Sequence, residues 1–188
     1  MIRKLSSMLS GGLVALVLIS LAAGPALAQD DTPYAGHETR EIKALSQEEV
    51  DGLLAGEGLG YALAAELNRY PGPRHTLALA DSLELTPEQR AGVEAIELVM
   101  RERAVALGRQ IVEAERDLDR LFASGSADAA SVEEGTLKIA RLEAGLRAAH
   151  LIAHLETRDV LTEGQVATYV RLRGYSGEHA DPSHSHVD

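Results

Sequence analysis

The sequence LTPEQ at residues 85–89 starts the part of the chain that decides its fold, and LTEGQ at residues 161–165 closes it. In each, the threonine hydroxyl can accept a hydrogen bond from a free backbone N–H, and the glutamine three residues later can reach back to the N–H of the threonine. Pro87 falls at the first helical position, where its missing N–H costs nothing. The two signals consist of Leu85, Thr86 and Gln89 in the first and Leu161, Thr162 and Gln165 in the second. The sequence therefore predicts that one helix begins at each signal.

Apolar residues recur every three or four positions in two long runs, joined by the turn sequence SGSAD at residues 124–128. The first run is Val93, Ile96, Met100, Ala104, Leu107, Ile111, Ala114, Leu118 and Leu121, and the second is Val132, Gly135, Ile139, Leu142, Leu146, Ala149 and Ala153. This spacing places each run on one face of a helix. The pattern predicts an all-α fold in which residues 86–160 form a long antiparallel helical hairpin flanked by short helices.

Four apolar residues of this hairpin lie off the two faces and need cover: Leu98, Val99, Val105 and Val112. A pair of long helices cannot bury all of its apolar surface alone. We expect the short helices to cover part of this surface and a second copy of the chain to cover the rest, which predicts a homodimer.

Residues 1–28 have the form of a secretory signal peptide. Arg3 and Lys4 supply a basic start, residues 13–23 are apolar, and Ala26-Leu27-Ala28 fits a cleavage site. An uncleaved membrane anchor is the alternative, but the apolar run is short for a membrane span. We expect an exported protein, located in a bacterial periplasm, with no transmembrane segment after signal cleavage.

The remaining chain divides into a flexible arm at residues 29–45, a helical domain at 46–173 and a disordered tail at 174–188. The sequence SQEE at residues 46–49 is a further capping box, from which a helix runs to near Gly56. The sequence YPGPRH at residues 70–75 breaks the helical pattern, and Pro73 can begin another helix. The tail contains His179, His184 and His186, which either collect metal ions loosely or belong to a merely soluble tail.

The composition argues against several classes of function. The chain has no cysteine, which excludes disulfides, thiolate metal sites and thiol catalysis. Its formal net charge is −11 and it has no basic stripe, so nucleic acid is not an expected partner. Since no nucleophile, base or acid–base pair stands in a supporting context, we expect no enzymatic activity, and the pattern requires no cofactor.

One pair of residues has the spacing of metal ligands. His150 and His154 are four positions apart on the second long helix, so both imidazoles point the same way and could bind one Zn²⁺, Cu²⁺ or Ni²⁺. Two imidazoles make an incomplete site, which a carboxylate or a second chain would have to complete. The alternative is that both histidines simply pack at the edge of the apolar face formed by Ala149 and Ala153.

A cysteine-free, exported, helical chain with two Leu-Thr-x-x-Gln signals resembles the Spy/CpxP family of periplasmic stress proteins, in a wider group with ZraP-like and CnrX-like periplasmic heavy-metal sensors. The resemblance covers residues 79–175. It implies a hooked, cradle-like hairpin, often dimeric, that binds unfolded or misfolded periplasmic proteins without ATP or restrains an envelope stress-signalling protein. In the metal-responsive branch it implies ligands from helical histidines. We therefore expect a chaperone or stress adaptor, with a Zn, Cu or Ni sensor or resistance protein as the alternative.

Overall fold

A computed structural model of the chain describes residues 33–175. Of these, residues 36–175 belong to one compact unit. Its helices are a short 3₁₀ helix at His37–Thr39, followed by α1 (Gln47–Ala55), α2 (Leu63–Glu66), α3 (Pro73–Ala78), α4 (Pro87–Ala123), α5 (Ala129–Val160) and α6 (Glu163–Leu172). No strand occurs among the described residues, and the predicted all-α class is confirmed. The predicted signal peptide at 1–28 and most of the predicted tail lie outside the described residues.

Both Leu-Thr-x-x-Gln signals form capping boxes, so α4 and α6 begin where they are predicted to begin. The Thr86 hydroxyl accepts from the Gln89 backbone N–H at 3.2 Å, and the Thr86 N–H donates to Gln89 Oε1 at 3.1 Å. Thr162 and Gln165 repeat this arrangement at 3.2 and 2.9 Å. The start of α1 at Ser46 is also a complete capping box. A fourth box, in which Asp128 caps α5, was not predicted.

The two long helices pack against each other with opposite chain directions. α4 has 37 residues, which corresponds to a length of about 55 Å. Glycines of one helix lie against side chains of the other: Gly92 near Val160, Gly145 near Leu107 and Gly135 near Leu118. The predicted apolar residues of both helices are buried or half-buried along this contact.

Helix α1 crosses α4 at Gly108, and the main core lies at this crossing. A Cβ atom added at Gly108 would lie 2.0 Å from the carbonyl oxygen of Leu53, so only glycine permits the approach. The buried core residues around the crossing are Ile42, Leu53, Ala104, Ile111, Val112 and Leu146.

The stretch predicted as a flexible arm, residues 29–45, differs from that prediction at its C-terminal end. Ile42 is 3% exposed and belongs to the core, while Lys43 forms an ion pair with Asp119 of α4 at 3.3 Å. Ile42 and the neighbouring ion pairs hold this segment on α4, and one buried apolar residue leaves no periodic signal in the sequence.

Residues 33–175 provide only part of the cover expected for the four apolar residues that lie off the two helix faces. Val112 is buried in the core and Val105 is half-buried beside Gly56. Leu98 and Val99 remain 56% and 64% exposed. None of the helices among residues 33–175 is both long enough and apolar enough to cross a membrane.

Candidate functional site

A cavity of about 510 Å³ lies where the loop after α1, helices α2 and α3 and the two long helices meet. Its lining is rich in titratable and metal-binding side chains. They are Glu66 from α2, Arg74 and His75 from α3, Glu97, Met100 and Arg101 from α4, and His150 and His154 from α5, together with Glu57 from the loop. Because these residues come from five segments of the chain, the cavity depends on the whole arrangement of helices.

Glu66 is the carboxylate at the centre of this cluster and is 6% exposed. Its Oε1 atom accepts a hydrogen bond from the Tyr169 hydroxyl at 2.6 Å and lies 3.4 Å from Arg173 Nε. His75 Nδ1 is 3.5 Å from the same oxygen. The other oxygen, Oε2, has no hydrogen-bond partner, although His154 Nδ1 lies 3.7 Å away. Tyr169 of α6 and Arg173, which directly follows this helix, thus hold the buried carboxylate through Oε1, while Oε2 stays available.

His154 is held in one orientation by the backbone of the loop between α2 and α3. Its Nδ1 atom lies 2.7 Å from the carbonyl oxygen of Tyr70. Because a carbonyl only accepts, Nδ1 must carry a proton, and a neutral His154 therefore has its lone pair on Nε2. A Cβ atom at Gly72 would lie 2.9 Å from that Nε2. A side chain at position 72 would therefore force the His154 imidazole to shift.

His150 lies one turn earlier on α5 and is 5% exposed. Its Nε2 atom has no hydrogen-bond partner. Burial lowers the pKa of His150 below its ordinary value of 6.5, and the nearby His154 lowers it further, while a hydrogen bond to the backbone of Glu57 raises it. The pKa of His75 is also lowered, chiefly by burial and then by the charge of Arg173. Both imidazoles are therefore favoured in the neutral form, which is the form that binds metal ions.

The cavity brings the predicted pair His150 and His154 together with Glu66 and His75, neither of which was predicted as a ligand. As the side chains are placed, no group of three or more histidine, aspartate or glutamate residues within 33–175 is arranged to hold a metal ion. Glu66 Oε2 and His150 Nε2 nevertheless remain buried and without a hydrogen-bond partner, and both residues line the cavity.

Four of the six motif residues form one hydrogen-bond network: Thr86, Gln89, Thr162 and Gln165. Gln89 and Gln165 hydrogen-bond to each other through their side-chain amides. Leu161 is 7% exposed and Val166 is fully buried, as expected for the two positions of a hydrophobic staple. Because Tyr169 belongs to α6, this helix connects the paired capping boxes to Glu66 in the cavity.

Comparison of the chain with protein-family models, with curated proteins and with solved structures finds no match.

Proposed function

We propose that this chain is an exported, metal-responsive protein that binds a divalent transition-metal ion in the cavity around Glu66, His150 and His154. One observation supports the proposal above the others. Two buried ligand-type atoms that line the same cavity, Glu66 Oε2 and His150 Nε2, lack any hydrogen-bond partner, and His154 presents a free Nε2 beside them.

The donor set fits Zn²⁺, Cu²⁺ or Ni²⁺ better than Mg²⁺ or Ca²⁺. Imidazole nitrogens suit the first group, whereas the second group prefers a shell made of oxygen atoms. The Met100 thioether and the His75 imidazole are further soft or borderline donors in the lining. Binding requires the unpartnered Glu66 Oε2 and His150 Nε2 to move toward Nε2 of the fixed His154 imidazole. A cation there would compensate the charge of a buried carboxylate.

The expected location and fold agree with such a role. A signal peptide at residues 1–28 would export the chain to the periplasm, and a hooked hairpin of the Spy/CpxP type would carry the site between its long helices and the short helices before them. A sensor or resistance protein fits this combination, because a metal ion that binds residues from several helices would stabilise their packing.

Calorimetric titration of the full-length chain with Zn²⁺, Cu²⁺ or Ni²⁺ tests the proposal. We expect one site with a dissociation constant of about 1 µM or tighter, weakened by about 100-fold or more in His154→Ala and in His150→Ala. The matched control replaces His179, His184 and His186 of the tail by alanine and should keep the strong site. Wild-type binding no tighter than millimolar, in protein whose circular dichroism is helical, would refute it.

A second candidate function is that of an ATP-independent chaperone or envelope-stress adaptor, also of the Spy/CpxP type. Its support is a set of large apolar side chains on the long helices that the described residues leave exposed: Leu98, Val99, Phe122, Leu137, Ile152 and Leu155. Exposed apolar surface of this kind is suited to binding unfolded proteins or a signalling partner.

Light scattering of an aggregating client protein separates the two functions when it is run with zinc and with chelator. Equal suppression of client aggregation in both conditions favours the chaperone and indicates that the histidines have a structural role. Suppression only with zinc joins the two functions. No suppression at stoichiometric excess removes the chaperone and leaves the metal-responsive protein to be judged by calorimetry.

A further inference from the structure

The outer face of α4 carries a pattern that is complementary to itself when reversed. A groove of about 440 Å³ on this face is lined by Leu98, Arg101, Glu102, Val105, Ala106 and Arg109. Glu94 lies one turn earlier on the same face. From residue 94 to residue 109 the face therefore repeats the order acid, apolar, base twice: Glu94, Leu98, Arg101, then Glu102, Val105, Arg109. The intervals of four, three, one, three and four residues read the same in both directions.

The charges of this face have no partners within the described part of the chain. Glu94, Arg101, Glu102 and Arg109 are exposed and form no ion pair or side-chain hydrogen bond with residues 33–175. Other arginines do find partners, such as Arg90 with Asp81 and Arg116 with Glu41. Leu98, which is 56% exposed, adds an uncovered apolar residue to the same face.

We propose that a second copy of this chain docks here, with the two α4 helices antiparallel and the two-fold axis between Arg101 and Glu102. This arrangement places Leu98 against Val105 of the other copy, and Glu94 against Arg109 of the other copy. Arg101 and Glu102 pair across the axis. Each contact occurs twice, as a two-fold interface requires, and each charge meets its opposite. The charged pairs at the two ends lie about 22 Å apart along the helix.

A charge-swap series at low ionic strength tests the interface in the full-length chain. Analytical ultracentrifugation should show a dimer whose dissociation constant increases by about tenfold or more in Arg109→Glu and in Glu94→Arg, because each change creates two like-charged pairs. The double variant Glu94→Arg/Arg109→Glu regenerates both pairs with reversed polarity and should recover the wild-type constant. Neither residue lines the cavity around Glu66, so zinc binding should be equal in all four proteins.

The absence of cysteine from the chain allows a direct test of the register. Leu98→Cys and Val105→Cys chains are purified separately and then mixed and oxidised. The mixture should form a disulfide-linked dimer, while either variant alone should not, since its two thiols would lie about 10 Å apart along the axis. A monomer at micromolar concentration, a double variant as weak as the single ones, or cross-linking of either variant alone would overturn the proposal.

Discussion

The side-chain amides of Gln89 and Gln165 hydrogen-bond to each other in both directions, and both N···O distances are 2.9 Å. Each amide oxygen also accepts the N–H of the threonine that caps its own helix. Each amide nitrogen donates to a backbone carbonyl near the other signal, that of Val160 at 3.0 Å or that of Leu83 at 3.2 Å. The two capping boxes are therefore a single network that fixes the start of α6 on the start of α4.

Replacing Gln165 by glutamate distinguishes this network from two independent caps. A carboxylate at the third position of a helix is ordinarily favourable, because it lies near the positive end of the helix dipole. Here it would remove the donor to the Leu83 carbonyl and set two oxygens against each other at the Gln89 amide. We expect Gln165→Glu to lower the free energy of unfolding by about 1–3 kcal/mol in urea at pH 7.

The control for this substitution replaces a glutamate by glutamine in a capping box that is not hydrogen-bonded to a second capping box. Glu49 caps α1 through Ser46 alone, and its carboxylate is bonded to the Ser46 N–H and hydroxyl. Glu49→Gln should change the free energy of unfolding by less than about 1 kcal/mol. If Gln165→Glu proves equally mild, the two glutamines act as separate caps.

Two helix-interior glycines should respond to alanine in opposite directions. At Gly108 the new methyl group would lie 2.0 Å from the Leu53 carbonyl oxygen, which is backbone and cannot move aside without shifting α1. At Gly145 the nearest atoms are side-chain carbons of Leu107 at 3.6 Å, an ordinary contact. We expect Gly108→Ala to destabilise the protein by about 1–3 kcal/mol and Gly145→Ala to stabilise it by about 0.5–1 kcal/mol. Thermal unfolding followed by circular dichroism measures both, and an equal response at the two sites would contradict the close crossing.

A pair of carboxylates on the long helices should make stability depend on pH. Burial raises the pKa of Glu115 above its ordinary value of 4.5, and the charge of Glu143 raises it further. The folded protein therefore holds a proton more tightly than the unfolded chain does. Stability associated with this group is greatest below pH 4.5 and is lost as the pH rises through the folded-state pKa.

Removing the charge of Glu115 should consequently stabilise the protein at neutral pH. We expect Glu115→Gln to increase the free energy of unfolding by about 0.5 kcal/mol at pH 7, a small value because Glu115 is only half-buried. The gain should vanish near pH 4, where the wild-type carboxyl is protonated. Glu113→Gln is the matched control, since Glu113 forms an ion pair with Arg116 and should give no gain. A gain that persists unchanged at pH 4 would exclude the electrostatic cause.

The helices could be predicted from the sequence because their signals are local. Capping boxes and apolar spacing identify a helix within a few residues of chain, and Thr86 and Thr162 do begin helices. The pairing of Gln89 with Gln165 is not local, but one feature of the sequence is consistent with it. Both signals carry glutamine, whereas two glutamates, which cap equally well, would repel each other at this distance.

The cavity could be predicted only in part, for the same reason. His150 and His154 are recognisable because four residues separate them on one helix. Glu66 sits in an apolar segment, LAAEL, where a glutamate resembles any exposed acid on a helix. Its main partner, Tyr169, is 103 residues away along the chain. Nothing in the spacing of the sequence relates these two residues, so only the folded arrangement of α2 on α6 reveals that Glu66 is buried.

Removing the hydrogen bond from Tyr169 to Glu66 should change both the stability of the fold and the affinity of the proposed metal site. Tyr169 is fully buried, and its hydroxyl lies 2.6 Å from Glu66 Oε1. Burial and this bond raise the pKa of Tyr169, so the phenol remains a hydrogen-bond donor at neutral pH. Tyr169→Phe removes that donor from a buried carboxylate, and we expect it to lower the free energy of unfolding by about 1.5–3 kcal/mol.

The same substitution should also weaken zinc binding, because the hydroxyl fixes the orientation of the carboxylate proposed as a ligand. Loss of a hydrogen bond to a residue that binds the metal reduces metal affinity by about 10–100-fold. Tyr61→Phe is the control, since Tyr61 is half-buried and its hydroxyl forms no side-chain hydrogen bond with the described residues; it should leave zinc affinity unchanged and alter stability by less than about 0.5 kcal/mol. A Tyr169→Phe protein that loses stability but binds zinc as tightly as the wild type would show that Glu66 holds α2 on α6 and takes no part in a metal site.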